Sequence, residues 1–363
     1  MQISMPGLFP TPISKPFDPS NLKVEVKNTS IEHLITMLKN DLIDLQPDFQ
    51  RRGNLWSEKE KGSLIESIIL GLPLPSFYFY IDNNIKKWIV IDGLQRLCAL
   101  KDFMVTQELK LSELQLLGKT HNGKTYDDFS YFEQLDMTMR PVTLNVISGT
   151  ASKEAMYIIF QRLNSQGTQL TSAEIRNAVY HGPAMEFIKK LAKSDAFKVA
   201  TSNSISEKRL KPLDYVSRFV AFYMQGYKAY ENDKMDTFIG NALNSLNQDQ
   251  REFNTIEKTF ERSLLLCHKL LGSDTFRQPK ALSGRNNPIS ISLFEATMYA
   301  VSQLTSAECD ILLKRKDFFH SKYASMFNDI KVKKHLSNGT NKYQSVETRF
   351  TVIEKTIKDS IYD

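Results

Sequence analysis

The sequence predicts an α+β protein, with a small mixed sheet and helices in its N-terminal half and an all-helical C-terminal half. Three observations lead there. The run from Trp88 to Ile91 is aromatic and β-branched, as a buried strand requires, and it stops at Asp92 and Gly93, a pair that favours a tight turn. Directly afterwards Leu94, Leu97, Cys98 and Leu100 recur at helical spacing. From about residue 186 onward the apolar positions follow a 3.6-residue period, with glycine and proline scarce inside the periodic runs.

The elements follow in order. Residues 1–22 carry five prolines and little periodicity, which predicts an extended arm. Asn28, Thr29 and Ser30 offer a helix cap before Ile31, Leu34, Ile35 and Leu38. A short strand is expected over 43–45. Ser57, with Glu60 three residues on, forms a capping box for a helix through Leu64, Ile65, Ile68 and Ile69 that ends at Gly71. Pro73 and Pro75 lead into a strand over Phe77–Ile81, and Asp82 to Asn84 turn it back as a hairpin onto the Trp88 strand. Asn122 and Gly123 mark a turn and 144–147 another strand. Thr150 to Glu154 open a helix that runs to Leu163; a polar loop with a glycine hinge follows over 164–167, and Thr171, Ser172 and Glu174 start the next helix. Helices are then expected at about 184–193, 211–231, 247–271, 289–304, 306–327 and 344–361. No internal repeat or low-complexity segment interrupts them.

Composition narrows the class. A chain of 363 residues predicts two domains, and 41% hydrophobic with 24% charged residues is that of an ordinary globular protein. The net charge of +6 permits nucleic-acid contact without requiring it. Cys98, Cys267 and Cys309 lie far apart with no CxxC pairing, which argues against a disulfide framework or zinc knuckle and fits the cytoplasm. The start of the chain lacks the basic region and apolar core of a signal peptide. The most apolar stretch, 64–81, is interrupted by Glu66, Pro73 and Pro75, so no membrane span is expected. There is no GxxxxGK[ST] phosphate loop and no HExxH, and the six histidines are scattered. The clearest basic concentration, Lys314 to Lys316 with Lys331, Lys333, Lys334 and Lys342, has the composition of a solvated face.

The strand–turn–helix brings Asp92, Gln95 and Arg96 to the start of a helix, where free N–H groups favour an anion. Asp92 has the chemistry to hold a metal or a water, or to cap the helix. Arg96 has that of a phosphate fork or of a partner to a carboxylate. Gln50 and Arg51 within 46–52, Trp56 and Ser57, the 64–75 stretch and the 159–177 stretch stand in a characteristic order around that turn. In that order they resemble the N-terminal domain of the GmrSD-type restriction family, part of the ParB/sulfiredoxin-like superfamily. The family's Asp-Gly-Gln-Gln-Arg motif is matched by Asp92, Gly93, Gln95 and Arg96, while Leu94 replaces the first glutamine with an apolar side chain. Residues 208–222 resemble the segment that begins the family's helical domain.

Between the arm over 1–22 and the helical domain over 186–363 that composition and periodicity predict, the resemblance implies a ParB-like domain over 23–185. It implies a nucleoside triphosphate with Mg²⁺, catalysis by Asp92, Gln95 and Arg96, and Asp92 as metal ligand. The nucleotide would be bound by Gln50, Arg51, Trp56, Asp92, Gly93, Arg96, Asn164, Gln166, Gly167, Arg176 and Asn177, with Glu174 close by. The implied function is nucleotide binding with hydrolysis in DNA restriction or anti-phage defence, with DNA and a nuclease or other defence protein as partners and no membrane. The alternative is a non-catalytic DNA-binding or adaptor module. The HNH-like nuclease segment often joined to this family has no recognisable counterpart in the chain.

Overall fold

The computed structural model describes residues 22–45, 56–81, 87–149, 153–163, 170–279 and 287–363. The chain divides into two compact units, residues 1–171 and 172–363.

The first unit is built on a mixed five-stranded sheet. In chain order its elements are β1 (Leu22–Ser30), α1 (Ile31–Lys39), β2 (Ile43–Asp44), α2 (Glu58–Ile69), β3 (Phe77–Ile81), β4 (Trp88–Asp92) and α3 (Leu94–Leu100). After α3 the helix continues as a π-helical turn over Lys101–Val105. The short α4 (Gly118–His121), then α5 (Tyr131–Thr138), β5 (Pro141–Gly149) and α6 (Lys153–Leu163) complete it. The strand order is β1-β5-β3-β4-β2. β1 with β5 and β3 with β4 are antiparallel; β3 with β5 and β2 with β4 are parallel.

Period-two alternation explains the two faces of the sheet. Phe77 and Phe79 of β3, Val90 of β4, and Val142, Leu144 and Val146 of β5 enter one core with α1, α2 and α3. On the opposite parity of β3, the Tyr80 ring meets Phe160 of α6 edge-on at 6.3 Å. The Ser57–Glu60 capping box forms as the sequence predicts. Ser30 makes no side-chain cap; the first N–H of α1, on Ile31, donates instead to the Arg140 carbonyl at 3.0 Å. β1 has no counterpart among the sequence expectations. Its lysines and glutamate alternate with valines that stay exposed, so it lacks the apolar run by which strands are found. α5 is likewise unpredicted, although Ser130 and Glu133 cap it with a full capping box.

One buried carboxylate shapes this unit. Glu66 of α2 accepts the backbone N–H groups of Gln115 (3.2 Å), Leu116 (2.7 Å) and Leu117 (2.7 Å), so it docks an otherwise irregular segment onto the helix. Burial works to raise its pKa, and the three donors outweigh burial and hold the carboxyl below the usual glutamate value.

The second unit is helical: α7 (Ser172–Val179), α8 (Pro183–Ala192), α9 (Asp195–Ala200), α10 (Lys211–Gln225), α11 (Met235–Gln248), α12 (Phe253–Leu271), α13 (Ile291–Ser302), α14 (Ser306–Lys314), α15 (Lys316–Met326), α16 (Ile330–Ser337) and α17 (Tyr343–Tyr362). The helix predicted over 306–327 is broken at Arg315, whose backbone leaves the helical region and whose side chain donates to the Ile361 carbonyl at 2.9 Å. α9, α11 and α16 are additions to the sequence expectation. Buried ion pairs tie the bundle together. Arg349 pairs with Glu295, which also takes Arg218 at 3.1 Å; Arg218 reaches Asp214 at 3.5 Å, and Arg176 holds Asp214 and Asp236. Burial pushes the Asp214 pKa up, but Arg218 and Arg176 more than reverse this. Arg315 contacts the C-terminal end of α17, whereas α16 is tied by His335 to Ser345 near its start.

Replacing Glu66 by Gln removes the charge that three N–H groups share. We expect a loss of about 2 kcal/mol at pH 7. Because the folded carboxyl titrates below its unfolded value near 4.3, this contribution is present above that pH and is lost as pH falls through the folded pKa. Urea unfolding of wild type and Glu66→Gln at pH 7 and below pH 4 checks both parts: the gap should be wide at pH 7 and narrow in acid.

Candidate functional site

The site predicted from the sequence is a turn between β4 and α3. Gly93 caps the helix at φ +99°, a left-handed conformation in which a side chain is strained. A Cβ there would also lie 2.5 Å from Cδ1 of Phe77, so the turn can pass over that ring only as glycine. The register between β3 and β4 shifts just before the turn: Phe79 faces Val90, but Tyr78 faces Asp92. This bulge moves Asp92 off the parity of Trp88 and Val90, which face the helical core, and onto that of Tyr78 and Tyr80.

Arg96 holds the turn from within. Its guanidinium donates to the Pro75 carbonyl, to the Ser76 carbonyl at 3.2 Å and to Oδ2 of Asp92 at 2.9 Å. It also lies 4.5 Å from the centre of the buried Phe77 ring, a cation–π contact. Burial lowers the Arg96 pKa, and the Asp92 carboxylate pulls against that effect. Asp92 keeps 28% of its side chain exposed against 11% for Arg96, so the carboxylate is anchored through one oxygen and still reachable. Gln95, also buried, accepts the Trp56 backbone N–H at 3.3 Å and so ties α3 to the residue that precedes Ser57. Trp56 itself packs partly buried against the N-terminal core. Leu94 is buried in that core.

The structure therefore brings together Trp56, Asp92, Gly93, Gln95 and Arg96. Gln50, Arg51, Asn164, Gln166 and Gly167 lie outside the described residues. Arg176 and Asn177 belong to α7 of the helical unit and are buried there; Arg176 is engaged by Asp214 and Asp236, and the fully buried Glu174 by Arg209 at 3.0 Å. Pro75, Ser76 and Phe77, which receive Arg96, were not among the sequence-derived site residues. The signal was available in Pro73 and Pro75, which interrupt the apolar stretch before β3 and keep its first carbonyls out of a helix. Among the described residues no group of three or more His, Cys, Asp or Glu side chains is placed to hold a metal ion, and no helix is long and apolar enough to cross a membrane.

These features define an α+β domain whose polar strand–turn–helix is clamped by a buried arginine. Residues 31–181 match the family model described as GmrSD restriction endonuclease, N-terminal domain, and this stretch of the chain is a domain of that family. No curated protein and no solved structure matches the chain.

Gly93→Ala tests the turn. With positive φ and the Phe77 ring in the way, we expect a loss of about 2–3 kcal/mol. Tryptophan fluorescence during urea unfolding reads it well, because both tryptophans of the chain, Trp56 and Trp88, lie in this unit. A midpoint equal to wild type contradicts the geometry.

Proposed function

We propose that the N-terminal unit binds a nucleoside triphosphate at the Asp92–Arg96 turn and hydrolyses it with Mg²⁺, in the service of DNA restriction or defence against foreign DNA. The observation that carries this reading is the Asp92 carboxylate, fixed through one oxygen by Arg96 and still partly exposed at a helix start. The family of residues 31–181 supports the setting in restriction.

On this reading Asp92 acts and Arg96 positions it. The Arg96 donors are turned on two carbonyls and Asp92, so charge on the phosphates is met by the start of α3. Asp92 is an oxygen donor of the kind Mg²⁺ takes in ones and twos, beside phosphates and water. When bound, Mg²⁺ supplies neutralisation of phosphate charge. Asp92 in addition orients a water through its exposed oxygen, and Gln95 keeps the Trp56 segment beside the turn. The helical unit passes the nucleotide state to DNA or to a nuclease or other defence protein.

One observation favours a second reading. Leu94 occupies the position of the family's first glutamine and is buried in the core, which removes a polar group from the turn. A module of this kind binds phosphate without turnover and serves as a DNA-binding or adaptor element.

Calorimetry and phosphate release with ATP and GTP in Mg²⁺ separate the readings. We expect binding and turnover by wild type, with Asp92→Ala losing turnover more than affinity. Asp92→Asn, which keeps the shape and drops the charge, should also lose turnover. Binding without phosphate release selects the adaptor reading, and no binding of either triphosphate contradicts the hydrolytic one.

A further inference from the structure

Among the described residues β1 ends the sheet, and its outer edge pairs with no described strand. The edge is long and regular: β1 pairs with β5 along all nine residues in unbroken register, with no bulge and no proline. Exposed edges are usually kept short, kinked or proline-bearing because a straight edge invites another strand. Here the protection is confined to charge, with Lys23, Glu25 and Lys27 on one parity and the exposed Val24 and Val26 on the other.

The order of those charges gives the edge a matching partner. Two copies of β1, antiparallel about a two-fold axis perpendicular to the sheet, must pair residues of equal parity. With the axis at Val26, all nine residues find partners, from Leu22 opposite Ser30 to Ser30 opposite Leu22. Glu25 then faces Lys27 of the other copy on both sides of the axis, and Val26 faces Val26. With the axis at Glu25, Lys23 would face Lys27 and Glu25 would face Glu25, like charges throughout. With the axis at Val24, only residues 22–26 of the strand would pair. One register thus satisfies both length and charge. Glu25 and Lys27 already attract each other along the strand, 3.6 Å apart, and in the pair each would gain a second opposite charge.

We propose that the β1 edge pairs with the β1 edge of a second copy of this chain, centred on Val26, so that two five-stranded sheets become one continuous sheet across a two-fold dimer.

Sedimentation equilibrium of the full chain from about 1 to 100 μM, a range that brackets common dimer affinities, tests it. Wild type should be dimeric at the upper end. Glu25→Lys puts a lysine opposite Lys27 of the other copy on both sides of the axis. Lys27→Glu likewise puts a glutamate opposite Glu25 on both sides. Each single change should raise the dissociation constant about tenfold or more. The double exchange Glu25→Lys/Lys27→Glu restores both opposite pairs and should restore the dimer. The three variants alter exposed side chains, and circular dichroism checks that they fold. A wild type that stays monomeric overturns the proposal. A dimer that both single variants leave unchanged, or that the double exchange fails to restore, overturns it too, because the contact then lies elsewhere.

Discussion

The buried guanidinium of Arg96 is the constraint on which the site depends. It joins two segments of the chain: Pro75 to Phe77, through two carbonyls and a ring, and the end of β4, through the carboxylate of Asp92. Each partner alone is ordinary. Together they give a cation that has left water enough hydrogen-bond acceptors to remain there, and removing one partner of such a pair strands the other. Gly93 and the bulge in β4 are consequences of the same demand, since the chain must pass close over Phe77 and present Asp92 to Arg96.

The two units use charge in the same way for different ends. In the helical unit the buried Arg176, Arg218 and Arg349 alternate with Asp214, Asp236 and Glu295 in a connected set of pairs, of which those on Glu295 are buried on both sides. Buried pairs of this kind contribute little net stability over apolar packing but are costly to break singly, so they fix which helices meet. In the N-terminal unit the pair Arg96–Asp92 keeps its carboxylate partly exposed, and Arg176 with Asp214 and Asp236 does the same, so exposure alone does not single out the Asp92 turn.

Much of the fold could be read from the sequence where local signals and burial agree. The β4–turn–α3 unit, the β3 strand, and the Ser57–Glu60 cap all follow from patterns within a few residues. β1 could not be read this way, because an edge strand exposed along most of its length carries no apolar run and its pairing with β5 spans more than a hundred residues. The break at Arg315 was equally hidden: arginine is a good helix former, and only the distant Ile361 carbonyl explains its departure. At the site, the sequence picked out Asp92, Gly93, Gln95 and Arg96. It left open whether Arg96 faces a ligand or the protein, since guanidinium chemistry suits both. That choice was settled by carbonyls at Pro75 and Ser76, about twenty residues away, which no motif spacing records.

The most direct test of this account is a double-mutant cycle between Asp92 and Arg96, with Asp92→Asn, Arg96→Gln and the pair compared by urea unfolding. Trp56 and Trp88 report the N-terminal unit, where the interaction lies. If Arg96 holds Asp92, the two changes are strongly non-additive, with a coupling energy of about 1–3 kcal/mol. Losses that add to within about 0.5 kcal/mol would show that the pair is not what organises the turn.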